Sequence, residues 1–91
     1  MAVLSTIQVP GMSKETYDQS TVQLVPLVKQ QPGFILHAAY PSGGGYTIVE
    51  VWESEQAANN WYNNVVRPAS QQANIPDFQP EFQELSNVAT P

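Results

Sequence analysis

The sequence contains no cysteine, a single histidine and only three strongly basic residues, Lys14, Lys29 and Arg67, against eight acidic ones. The missing cysteines exclude disulfides, thiolate nucleophiles, iron–sulfur clusters and Cys-ligated zinc. A formal charge of −5 with so few bases leaves no patch that neutralises several phosphates, so nucleic acid is not an expected partner, and an anionic membrane surface repels the chain. Long hydrophobic runs are missing too. No segment is long enough to span a bilayer, and the N-terminus has no basic flank, apolar region and cleavage site of a signal peptide, so a soluble, cytoplasmic protein is expected. What the chain does have is 42% hydrophobic residues in a length of 91, with Gln and Asn carrying much of the polarity. This predicts one domain over residues 1–91, with a core near the lower limit of what folds alone.

Along the chain, Val3 to Val9 alternates as a strand and Pro10-Gly11 ends it. Ser13 caps a following helix with Glu15 in its first turn, and Tyr17, Val22, Val25 and Val28 are expected on its buried stripe. Pro26 predicts a kink or break near Val25, and Gln31-Pro32-Gly33 closes the segment. Phe34 to Tyr40 and Tyr46 to Glu53 then read as two strands of a hairpin joined by Pro41-Ser42-Gly43-Gly44-Gly45. Alternation puts Phe34, Leu36, Ala38 and Tyr40 on one face and Ile35, His37 and Ala39 on the other, and it sets Ile48, Glu50 and Trp52 opposite Thr47, Val49, Val51 and Glu53. Apolar groups on both faces imply that helices cover one face and another subunit the other, or else that a single alternation leaves a few aromatics exposed. Ser54 caps a second helix bearing Ala57, Ala58, Trp61, Tyr62 and Val65 on one side, with Pro68 as its stop. An irregular excursion to Pro80 and a last strand from Phe82 to Val88 complete a β-α-β-β-α-β order. This is an α+β, ferredoxin-like fold, a four-stranded antiparallel sheet with two helices on one face.

The segments Pro32-Gly33-Phe34-Ile35-Leu36-His37-Ala38, Gly44-Gly45-Tyr46-Thr47-Ile48-Val49-Glu50-Val51-Trp52-Glu53-Ser54-Glu55-Gln56-Ala57 and Arg67-Pro68 resemble the dimeric α/β-barrel superfamily. Within it the chain looks most like the small proteins related to antibiotic-biosynthesis monooxygenases and to stress-responsive barrels. The resemblance covers about residues 3 to 88 and implies a homodimer in which two sheets pack face to face. Members include cofactor-free oxygenases, haem-degrading enzymes, polyketide cyclases and isomerases, so the fold does not choose among activities.

His37 is the only side chain whose ordinary pKa suits proton abstraction near neutrality. It acts as a general base, contacts a ligand without turnover, or is bonded to a neighbour for structure. Tyr17, Tyr46, Trp52, Trp61 and Tyr62 are candidate substrate-binding residues with rings suited to a planar or phenolic ligand, or else they are core. Glu50, a carboxylate among apolar neighbours, is paired, protonated or functional, and Arg67 is one candidate partner. No metal site is expected, because the acidic residues have neither zinc nor EF-hand spacing. His37 lies on a strand, unlike the helix-borne axial histidine of haem-degrading relatives. Gly43 to Gly45 lies between strands and reads as a hairpin, not a phosphate loop. No cofactor is therefore called for. The expected function is cofactor-independent, monooxygenase-like turnover of an aromatic or polyketide-like molecule with His37 as base. The alternative is a non-catalytic homodimer that binds an apolar molecule or serves as a stress-associated protein.

Overall fold

The computed structural model describes residues 1–91. Strand β1 (Val3–Val9) leads into helix α1 (Lys14–Val28), then strands β2 (Phe34–Ser42) and β3 (Gly45–Trp52). A helical run follows: α2 (Glu55–Trp61), a π-helical turn (Tyr62–Val66) and α3 (Arg67–Gln72). Strand β4 (Glu81–Glu84) ends the order. The sheet is antiparallel throughout, in the order β2-β3-β1-β4, so the two central strands, β1 and β3, are the ones that open the two β-α-β halves of the chain. No helix is long and apolar enough to cross a membrane.

Both helical segments start as their sequences dictate. Ser13 and Ser54 accept the backbone N–H groups of Thr16 and Ala57 on their side-chain oxygens, which satisfies donors that a first turn otherwise leaves unpaired. Pro26 does not break α1, which runs through it to Val28. The predicted stripe is also corrected: Val22 is 76% exposed, while Leu24 packs on the core and Val28 is buried. At 3.6 residues per turn Tyr17, Leu24 and Val28 fall on one line, whereas Val22, five residues beyond Tyr17, lies well round the helix.

Pro68 does not stop the second helix either. Its ring crowds the turn before it and it has no N–H to donate. The chain widens there into a π turn, with the Arg67 N–H bonded back to the Tyr62 carbonyl, and helix continues to Gln72. Asn74, with φ of 56°, then ends the run, and the Ile75 N–H reaches the Ser70 carbonyl at 2.9 Å. The excursion expected from Pro68 therefore begins only after Gln72, and the last strand stops at Glu84 instead of Val88. The β2–β3 connection is tighter than its five loop-like residues suggest: Ser42 pairs with Gly45 across a two-residue turn, Gly43-Gly44, in which both residues have positive φ.

A β-bulge between Phe34 and Leu36 changes the faces of β2. Phe34 pairs with Trp52, yet His37 pairs with Glu50, so Phe34 and His37 share the helix-covered face that strict alternation would have divided between them. That face carries rows that cross three strands: Val3, Trp52 and Phe34; Ser5, Glu50 and His37; Ile7, Ile48 and Ala39. The core under the helices is built from Val3, Ile7, Val28, Trp52, Ala58, Trp61, Tyr62 and Phe78. Phe34, Trp52, Tyr62 and Phe78 meet successively edge to face, with centroids 5.4, 6.5 and 5.7 Å apart. On the opposite face Leu36 and Tyr40 are 44% and 53% exposed.

Candidate functional site

The middle row of the sheet is polar. Ser5, Glu50 and His37 lie side by side on β1, β3 and β2 beneath the helices, where their flanking rows are apolar. Glu50 is 4% exposed and its carboxylate is fully engaged. Oε1 accepts the Trp52 indole N–H at 3.1 Å and the Tyr62 hydroxyl at 2.7 Å, while Oε2 is 2.8 Å from His37 Nδ1. The Ser5 hydroxyl reaches the Tyr62 oxygen at 2.7 Å. Because Tyr62 gives its proton to Glu50, Ser5 donates to Tyr62. No buried side-chain nitrogen or oxygen is left without a partner.

This arrangement sets the histidine. With Nδ1–H donating to Glu50, Nε2 is left as the acceptor, and the Tyr17 hydroxyl stands 3.2 Å from it. Tyr17 reaches over from α1 and stacks on Tyr46 of β3 with centroids 4.5 Å apart and planes 8° from parallel. Burial pushes the Tyr17 phenol above the usual tyrosine range, with the neighbouring Tyr46, Asp18 and Glu50 adding to the effect, so it stays protonated and donates to Nε2. Burial does the same to Tyr62 more strongly, reinforced by the Glu50 charge. The His37 side chain is 20% exposed, so the imidazole end of the chain of hydrogen bonds is the end nearer solvent.

The structure thus brings His37, Tyr17, Tyr46, Glu50, Trp52 and Tyr62 into one cluster. Trp61 packs in the core and takes no part in the hydrogen bonding. Glu50 does not pair with Arg67. That guanidinium pairs with Asp77, donates to the Phe78 carbonyl and to Asn63 Oδ1 at 3.0 Å each, and lies 4.5 Å over the Phe78 ring. Ser5 was missed by sequence reasoning, although a small hydroxyl among the inward positions Val3, Ile7 and Val9 was a signal for a buried polar partner.

A cavity of about 250 Å³ lies beside this cluster, between α1, the β1–β3 floor and the segment from Val66 to Phe78. Ile7, Val9, Ile48 and Phe78 form its apolar part, and Thr16, Gln19, Ser20 and Gln23 of α1 one wall. None of the seven candidate site residues lines it. The sequence holds no signature for these lining positions, because apolar and amide side chains announce no chemistry until the chain folds. No group of three or more His, Cys, Asp or Glu side chains is placed to hold a metal ion.

Solved structures share the fold. A point mutant of SnoaB, a cofactor-independent oxygenase from Streptomyces nogalater, superimposes with a TM-score of 0.67 at 11% identity, over 96% of this chain and 94% of that one. Rv0793 from Mycobacterium tuberculosis gives 0.73 at 11% identity, over 99% and 100%. The heme-degrader MhuD from the same organism gives 0.65 at 22% identity, also over 99% and 100%. No curated protein matches the sequence significantly. The model of the antibiotic biosynthesis monooxygenase family matches residues 1–85, nearly the full length, and the chain belongs to that family.

Proposed function

We propose that the protein is a cofactor-independent, monooxygenase-like enzyme that acts on an aromatic or polyketide-like small molecule with His37 as its base. The observation that carries this reading is the Glu50–His37–Tyr17 chain, in which a buried, fully hydrogen-bonded carboxylate holds Nδ1 and keeps the basic nitrogen turned to a phenol. An imidazolium formed at His37 is stabilised by Glu50 2.8 Å away. The substrate's acidic O–H or C–H gives its proton to His37 Nε2, directly once the Tyr17 hydroxyl has turned aside, or through that hydroxyl as Tyr17 passes its own proton on. The resulting carbanion donates electrons to dioxygen. A C–O bond forms, His37 returns the proton to the peroxide, and loss of the remaining hydrogen of that carbon as a proton breaks the O–O bond, the departing hydroxide and that proton making water and the carbon becoming a carbonyl. The adjacent cavity, apolar on most sides, suits a ligand with little exposed charge.

Haem does not fit the residues present. The only histidine does not line the cavity, its Nδ1 is held by Glu50, and the cavity offers no other imidazole. A second reading, binding without turnover, is favoured by one observation: no titratable side chain lines the cavity. His37→Ala separates the two. Loss of turnover of a phenolic or polyketide-like substrate by 10²-fold or more, roughly the contribution of a positioned base, is expected with the circular dichroism unchanged. Tyr17→Phe should alter turnover in the same assay, and unchanged turnover in His37→Ala overturns the base.

We further propose that the protein is a homodimer. Leu36, Ala38 and Tyr40 of β2 and Val49 and Val51 of β3 point away from the helices, and a sheet face of this composition is normally covered.

A further inference from the structure

We infer that the cavity between α1 and the Val66–Phe78 segment selects uncharged ligands, flat apolar molecules with a hydrogen-bonding edge, and discriminates against anions of the same shape. The inference rests on the reading of this cavity as the ligand site and names the class of molecule it takes. None of the sixteen residues around the cavity is ionisable. An anion entering it leaves water without meeting a cation, since Arg67, the nearest base in sequence to the lining residues, is committed to Asp77 and the Phe78 carbonyl. A buried unpaired charge is costly, whereas an apolar ring against Ile7, Val9, Ile48 and Phe78 is favourable.

The polar groups of the α1 wall define the edge of the ligand. Of the hydroxyls in the lining, Thr16 accepts from Ser13 and Ser20 donates to the Tyr17 carbonyl, so each has part of its capacity taken, while Ser70 makes no side-chain hydrogen bond. The Gln19 and Gln23 carboxamides, four residues apart and therefore neighbours on one helical face, make no hydrogen bond within the protein and are the larger polar groups that meet a ligand. Each presents one acceptor oxygen and two N–H donors and carries no charge. They suit a ligand edge that bears carbonyl and hydroxyl groups, and they offer nothing that neutralises a carboxylate, sulfonate or phosphate.

A matched pair of fluorescent probes tests this: N-phenyl-1-naphthylamine, which is neutral, and 8-anilino-1-naphthalenesulfonate, which differs by one sulfonate. Titrations run in salt high enough to screen the net charge of −5. The neutral probe is expected to bind, and the sulfonate to bind roughly tenfold or more weakly, as the burial of an unpaired charge requires. Gln23→Lys, at an exposed position on the mouth of the cavity, should raise the affinity for the sulfonate and leave the neutral probe nearly unchanged. Ala69→Trp, which fills the cavity, should abolish binding of the neutral probe. Should that variant not fold, Gln23→Lys still reads the same site. Equal affinity for the two probes, failure of the neutral probe to bind, or a sulfonate affinity unmoved by Gln23→Lys overturns the inference. The base is read by turnover and this inference by probe affinity in the parent protein, so failure of the catalytic reading and failure of this one are told apart.

Discussion

Glu50 shows how one buried carboxylate organises its surroundings. Three donors converge on it, from Trp52, Tyr62 and His37, and Ser5 extends the chain of hydrogen bonds by one more member. Glu50→Ala would leave those donors without an acceptor, at a cost of about 3 kcal/mol, readable in urea unfolding. Glu50→Gln should cost less but have a distinct signature. Its amide oxygen still serves Tyr62 and Trp52, while its NH₂ group faces Nδ1 of His37, which must then accept. The proton moves to Nε2, and nitrogen NMR of the single histidine should show the exchanged tautomer.

Tyr62 supplies a second test. Burial and the Glu50 charge hold its phenol above the ordinary value near 10. In the unfolded chain the same tyrosine ionises near 10, so above that pH the unfolded state binds fewer protons than the folded one. Stability is then unaffected by this group below pH 10 and falls as pH rises beyond it. Tyr17 acts in the same direction. Tyr62→Phe should therefore show a shallower alkaline decline in unfolding midpoint than the parent protein, and an identical slope would refute the linkage.

The helical run from Glu55 to Gln72 and the segment after it depend on one cation. Arg67 ties Asn63 of the π turn to Asp77 and to the Phe78 carbonyl, and its guanidinium covers the Phe78 ring. Phe78 in turn packs on Tyr62 and walls the cavity. Arg67→Ala should destabilise the fold by about 1–2 kcal/mol, the range for a hydrogen-bonded, ring-stacked cation, and should speed amide hydrogen exchange across residues 74–79. Unchanged exchange there would mean that apolar packing alone holds the segment. Gly33 marks another such junction. It has φ of +85°, and a Cβ on it would come within 2.8 Å of the Ala57 Cβ, so β2 can enter beneath α2 only with glycine at this position.

Only one side of the sheet is covered within the chain. The eight-residue apolar core under the helices leaves Leu36 and Tyr40, with Val49 and Val51 beside them, on a face that no element of the chain packs over. A second copy set face to face would bury it. Sedimentation equilibrium at micromolar concentration should give twice the chain mass, and Leu36→Lys, which places a charge in that face, should shift the protein toward monomer without loss of secondary structure. A wild-type monomer would remove the dimer from the proposed function.

The order of elements, both helix caps, the hairpin and the apolar bulk on two sheet faces are written in local patterns: alternation along strands, serines before helices, glycines at the turn. Such features depend on neighbours within a few residues, so they are readable before the chain folds. Pro26 and Pro68 were not readable in this way. Each disfavours helix locally, but packing of Val28 on one side and of Tyr62 on the other outweighs it, and at Pro68 the backbone widens by one residue to do so. His37 and Glu50 were visible as an isolated base and an isolated acid. That they form a pair follows from the bulge at Ile35, which shifts the register of β2 by one residue and turns the imidazole from the open face to the covered one. The cavity and the Tyr17–His37 contact join residues from α1, β1, β2, β3 and the Val66–Phe78 segment. Contacts of that range are fixed by how helices settle on a sheet, and no spacing along the sequence encodes them.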